Sequence, residues 1–167
     1  MKKYLVIALA AMGMVASAHA EDRTTRVNFS TGLLYERGWD ATLSVERETR
    51  YHNAWEYFAN AYLKWEDCPS CGHVCPESFW KSYYTWNLGV AYKPSVYRTR
   101  NHTGRMRFGV SLGSDTDEVI GGLHVGYEND YMLRNGAVLF WRVKSDMMIN
   151  GKDLFRTGAE VGFKIPL

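Results

Sequence analysis

The sequence predicts an all-β fold: a small antiparallel up-and-down β-barrel of about eight strands, of the outer-membrane type. Three observations carry this. Apolar and polar residues alternate with period two in run after run. Several runs reach about ten residues, longer than the usual strand and matched to a tilted crossing of a bilayer. Nothing between Arg23 and Leu167 sustains a helical period.

A first strand is expected across Val27 to Glu36. In the second, Trp39, Ala41, Leu43 and Val45 alternate with Asp40, Thr42, Ser44 and Glu46. Trp55, Tyr57, Ala59, Ala61, Leu63 and Trp65 make the apolar row of the third, opposite Glu56, Asn60, Lys64 and Glu66, with Phe58 and Tyr62 blurring the polar side. The fourth sets Tyr84, Trp86, Leu88, Val90 and Tyr92 against Thr85, Asn87, Gly89, Ala91 and Lys93. Met106 to Leu112 and Leu123 to Tyr127 give two more, whose polar rows include Arg105, Arg107, Ser111, His124 and Glu128. Leu139, Trp141 and Val143 oppose Phe140, Arg142 and Lys144, and a last strand sets Thr157 to Ile165 against Arg156, Glu160 and Lys164. Turn chemistry separates the runs at Arg37-Gly38, 50–53, 94–104, 114–118, 129–136 and Asn150-Gly151.

Residues 1–20 read as a secretory signal: Lys2 and Lys3, an apolar run from Leu5 to Val15, then Ala18-His19-Ala20. Cleavage before Glu21 leaves residues 21–167, a single barrel domain with a cysteine-containing loop at 67–78. The mature chain carries 18 basic and 18 acidic residues, a balance that gives no expectation of direct nucleic-acid binding. No later apolar stretch is long enough for a spanning helix, which leaves a closed barrel as the way to satisfy the backbone in lipid.

Alternation alone does not say which face looks outward. A soluble barrel turns its apolar rows inward, and an outer-membrane barrel turns them toward lipid. Aromatic residues toward the row ends (Trp39, Trp55, Trp65, Tyr84, Tyr92, Tyr127, Phe163) suit interfacial girdles, and polar rows of both signs suit a tight, ion-paired lumen. The expected location is therefore the outer membrane, in contact with its lipid, with a soluble periplasmic ligand-binding barrel as the alternative. Both termini would lie on the periplasmic side and the 67–78 loop on the outer face.

The densest chemical cluster is Cys68, Cys71, His73 and Cys75. Three thiolates and an imidazole are a weak candidate for a metal site. In an oxidising compartment, a disulfide among Cys68, Cys71 and Cys75 with one sulfur left over is the stronger expectation. Gly109-Val110-Ser111-Leu112-Gly113 matches the nucleophile-elbow pattern in letters, but that pattern needs a strand, a sharp turn and a helix. His124 lies on a polar row near Glu128 and could serve an acyl hydrolase with Ser111 or Glu128. The competing reading is a lumen histidine bonded to a neighbouring carboxylate. Dinucleotide, phosphate-loop, zincin and calcium-loop motifs are absent, and no cofactor is expected. The basic stretch Arg98, Arg100, His102, Arg105 and Arg107 straddles a turn, as a rim near anionic headgroups would.

Ala54-Trp55-Glu56-Tyr57-Phe58, Asn60 to Trp65, the stretch Asp67 to Trp80, Gly89 to Pro94, Gly113 to Thr116 and Gly151 to Gly158 together resemble the TraO family of conjugative-transposon transfer proteins. The cysteine-rich stretch is the most specific part. The resemblance implies a place in a type IV secretion-like conjugation apparatus of Bacteroides-type elements, with other conjugation proteins as partners and no catalytic residues to carry over. The expectation is a non-enzymatic barrel that assists assembly or surface contact of the mating channel. The alternatives are a lipid-modifying acyl hydrolase of the outer membrane and the soluble periplasmic barrel.

Overall fold

A computed structural model describes residues 25–35, 37–65, 67, 72, 83–115 and 118–167. The expected signal segment and Cys68, Cys71, His73 and Cys75 lie outside the described residues. The strands are β1 (Thr25–Leu34), β2 (Gly38–Glu48), β3 (Ala54–Lys64), β4 (Tyr83–Lys93), β5 (Ser95–Arg98), β6 (His102–Ser114), β7 (Val119–Met132), β8 (Val138–Ile149) and β9 (Phe155–Pro166). All pairings are antiparallel, in the order β4-β3-β2-β1-β9-β8-β7-β6, and β4 pairs β6 to close the sheet on itself. β5 also pairs β6 and continues the line of β4, so the closed barrel has eight strand positions.

Pro94 divides that position because it has no N–H for the ladder, although its carbonyl still accepts from the Met106 N–H at 3.0 Å. The sequence-based expectation of an open turn over 94–104 is corrected accordingly: pairing resumes at Ser95 and only 99–101 remain as the connection. β7 likewise runs to Met132, through residues 129–132 that read as a turn. Asn and Asp are weak strand formers, but Asp130 is buried against Arg105 and Lys164, and that pairing overrides local preference. The Arg37 and Asn150 turns are as expected, each with a positive φ, 65° and 66°.

The polar rows face inward. Glu46, Glu56, Lys93, Glu128, Arg142, Glu160 and Lys164 are all buried, while Leu43, Val110, Leu123, Val143 and Val161 are exposed on the outer wall. β8 alternates buried and exposed without a break over its whole length. An apolar outer wall and a charged interior invert the soluble arrangement, so the membrane is the environment this surface fits. Phe58 and Tyr62, which blurred the third polar row, are buried in the lumen as platforms for cations: the Arg107 guanidinium lies 4.4 Å from the Phe58 ring centre and that of Arg156 lies 3.9 Å from Tyr62. Outside, Trp55 meets Tyr92 at 5.0 Å, Tyr127 meets Trp141 at 5.7 Å and Phe29 meets Phe163 at 5.9 Å. Those contacts gather aromatic rings toward the end that holds the termini, while Trp39 and Tyr84, both joined in register to Leu63, mark the other end.

Lipid exposure gives a direct prediction. Val143, in the middle of β8 and 48% exposed, becomes costly to charge: Val143→Arg is expected to lose about 2–4 kcal/mol, as at a bilayer midplane. Urea titration of refolding into phosphatidylcholine vesicles measures it, and a loss under about 0.5 kcal/mol, ordinary for a water-facing position, contradicts the membrane reading.

Candidate functional site

Alternate residues on eight strands deliver their polar side chains to one narrow axis, where strand register decides which of them meet. At mid-height they make a continuous ionic plug. Arg142 donates to Glu128 at 2.6 Å, to Glu56 at 3.2 Å and to Glu160 at 3.3 Å. Lys164 lies 2.6 Å from Glu128 and 2.9 Å from Glu46, and Lys93 lies 2.5 Å from Glu128 and 2.6 Å from Glu46. Arg107 donates its Nε–H to Glu56 at 2.8 Å. Side chains this thoroughly buried leave no passage for a polymer. The plug compensates its own charge, which is what allows so many ions to be buried at once.

Nearer the end opposite the termini, Ser111 on β6, His124 on β7 and Asp146 on β8 form a relay. Ser111 Oγ is 2.7 Å from His124 Nε2, and His124 Nδ1 is 2.7 Å from Asp146 Oδ1. His124 and Asp146 are register partners, while Ser111 stands diagonally, opposite Gly122. Gly122 is needed there, because a methyl group at that position would lie 2.6 Å from Ser111 Oγ and 3.0 Å from His124 Nε2.

Ser111 and His124 thus meet as the sequence allowed, but Glu128 does not join them. Four residues along one extended strand separate His124 and Glu128 by about 13 Å of backbone. Glu128 belongs to the plug. The acid of the relay is Asp146, which sequence reasoning missed; extending the polar row Arg142, Lys144 by one more step of two reaches it.

In its order of nucleophile, base and carboxylate the relay has the connectivity of a serine hydrolase. Its surroundings differ from one. Ser111, His124 and Asp146 are only 5%, 4% and 3% exposed, and the Phe58 ring packs edge-on against the imidazole at 5.1 Å. Ser111 pairs Gly89 of β4 on one side and Gly122 of β7 on the other, so it sits inside a ladder, without the strand-turn-helix elbow and its free backbone donors. His124 is a buried lumen histidine bonded to a neighbouring carboxylate, that of Asp146.

The basic stretch divides between three environments. Arg105 and Arg107 point into the lumen, the His102 ring meets Tyr131 at a tilt with centres 4.9 Å apart, and Arg98 and Arg100 are exposed at the rim. Among the described residues no group of His, Cys, Asp and Glu is arranged to hold a metal, and no helix is long and apolar enough to cross a membrane.

A closed eight-stranded antiparallel barrel with a charged lumen and an apolar wall defines an outer-membrane-type β-barrel protein. Solved structures share the fold. A major outer membrane protein from Thermus thermophilus superposes with a TM-score of 0.64 at 11% identity, over 88% of this chain and 100% of that one. Neisserial surface protein A superposes with a TM-score of 0.57 at 12% identity, over 89% of this chain and 99% of that one. No protein-family model and no curated protein matches the sequence. The soluble alternative required apolar rows around a ligand cavity, and the inward rows are instead polar and packed.

Proposed function

We propose that this barrel is a non-enzymatic outer-membrane component of a conjugative DNA-transfer apparatus, working through its loops and rim. The observation that supports this mode of action is the mid-lumen plug: a barrel filled by Arg142, Lys93, Lys164 and their carboxylates passes neither DNA nor a folded protein, so its role falls to its surfaces. The pathway comes from the resemblance of residues 54–80 and 151–158 to TraO-type transfer proteins. The partners on this reading are other conjugation proteins. β3 ends and β4 begins at the end opposite the termini, where outer-membrane barrels carry their extracellular loops, and the sequence between them contains Cys68, Cys71 and Cys75. The test is an in-frame deletion in a donor strain, complemented with the full chain or with a chain in which residues 67–78 are replaced by a short Gly-Ser turn. Transfer frequency is expected to fall with the deletion, to return with the full chain and to stay low with the loop replacement, while both proteins fractionate with the outer membrane. Unchanged transfer in the deletion strain would refute the role.

The relay favours one second reading, an acyl hydrolase. Ser111→Ala and His124→Ala separate the two: as lumen residues they leave transfer and envelope lipids unchanged, and a fluorophosphonate probe does not label the folded wild-type barrel. Labelling lost in Ser111→Ala, with altered envelope lipids, establishes the enzyme instead.

A further inference from the structure

The barrel mouth beside the termini is a cationic cleft, and we propose that it binds a phosphate group. Arg26 and Arg105 line it from within, Arg98 and Arg100 from the rim, with Glu48 and Asp130 as its carboxylates. Four guanidiniums against the two carboxylates that line the cleft leave an excess of two positive charges; Glu46 beneath it, 3.1 Å from Arg105 and 4.0 Å from Arg26, is already shared with Lys93 and Lys164. Lys164, 3.0 Å from Asp130, draws on the same acid from below. Glu48 is divided between Arg26 at 3.1 Å, Arg105 at 4.0 Å and the His52 ring at 2.8 Å.

Donors also outnumber acceptors. The Nε–H groups of Arg26 and Arg105, both residues more than nine-tenths buried, have no acceptor among the described residues, against one buried acceptor of the cleft without a hydrogen bond, Asp130 Oδ1, which has only the Lys164 ammonium at 3.0 Å. Arg98 bonds only the His52 ring, and neither Arg98 nor Arg100 has a carboxylate partner among the described residues. The Arg98 guanidinium lies against both ring nitrogens of His52, and the Nδ1 of that ring is also 2.8 Å from Glu48.

The excess selects the ligand class. A phosphate monoester carries about −1.5 to −2 charge and three acceptor oxygens, which match two uncompensated guanidinium forks, whereas a carboxylate supplies one charge and two oxygens. The outer wall at this end presents Val96, Tyr97 and Tyr131, apolar or amphipathic side chains suited to the headgroup level of a bilayer. The phosphate therefore has two possible sources, a lipid headgroup or a phosphate free in solution. The site stands whether or not the barrel serves DNA transfer.

The test uses the full folded barrel in a neutral maltoside detergent. Inorganic phosphate is titrated calorimetrically against sodium chloride of equal ionic strength. Saturable binding is expected for the wild type, weakened at least tenfold in the double variant Arg98→Gln, Arg100→Gln, and unchanged in Lys152→Gln at the opposite mouth. Both substituted arginines are exposed, and a heat-shift gel checks that each variant is folded. In a second arm, barrels refolded into phosphatidylcholine bilayers with a minor share of phosphatidic acid are released and weighed by native mass spectrometry. Phosphatidic acid enriched on the wild type and lost from the double variant assigns the headgroup source; phosphate binding without that enrichment assigns the soluble one. No saturable phosphate binding together with no lipid enrichment overturns the site, as does equal binding by the double variant.

Discussion

Arg142→Leu is expected to be the most damaging single change to the lumen. Among the described residues it removes the one side chain that reaches Glu56, Glu128 and Glu160 together, and it leaves their charge excess buried at mid-height in the lumen. Breaking a buried ion pair from one side costs about 3–5 kcal/mol, most of it the penalty of the stranded charge. The three carboxylates keep other partners, since Arg107 and Lys93 remain on Glu56, Lys93 and Lys164 on Glu128, and Lys144 on Glu160. The loss therefore belongs in that range, short of complete unfolding. Urea titration of the refolded barrel measures it. Adding Glu128→Gln to Arg142→Leu removes one stranded charge and is expected to recover part of the loss, a coupling that a double-mutant cycle isolates. Additive effects would show that the two groups do not share one network.

Gly113→Val is expected to damage the closure of the barrel itself. Gly113 pairs Asn87 where β4 meets β6, the contact that turns an open sheet into a cylinder. A methyl group there falls on the Trp86 carbonyl oxygen and on the Asn87 side-chain oxygen, with the Asn87 Cα at 2.7 Å. Main chain cannot step aside without opening the ladder, so the cost is about 3 kcal/mol, at the upper end for overpacking. Gly121→Val is the control. The nearest atoms to its added methyl, Ile149 Cβ and Leu112 Cδ2, are both 4.0 Å away, and its effect is expected within about 0.5 kcal/mol. The two variants refolded side by side and scored by heat-shift gel separate crowding at the β4–β6 contact from a general dislike of valine in place of glycine. Equal behaviour would dismiss the crowding.

Much of the wall was legible in the letters. Asp40, Thr42, Ser44 and Glu46 were assigned to one face and Trp39, Ala41, Leu43 and Val45 to the other from alternation alone, and the structure keeps every one of those assignments. The same holds for β9, where Arg156, Glu160 and Lys164 point inward. The relay was half legible. Ser111 and His124 stood on polar rows, but nothing local ties either to Asp146, 35 and 22 residues further along the chain. Glu128 drew attention by its nearness in sequence, and sequence nearness on an extended strand is distance. Phe58 and Tyr62 looked like flaws in a pattern because their role depends on Arg107 and Arg156, which arrive from β6 and β9. The residues 129–132 looked like a turn because the ion pairs that hold Asp130 in a strand come from elsewhere.

By itself the sequence determined the strand type, the strand number and which side chains share a face, since a period of two is set by each strand's own backbone and needs no neighbour. Register, closure and charge partnership were decided only in three dimensions. Each depends on how far one strand slides against the next, and that displacement is fixed jointly by turns, packing and ion pairs around the whole ring.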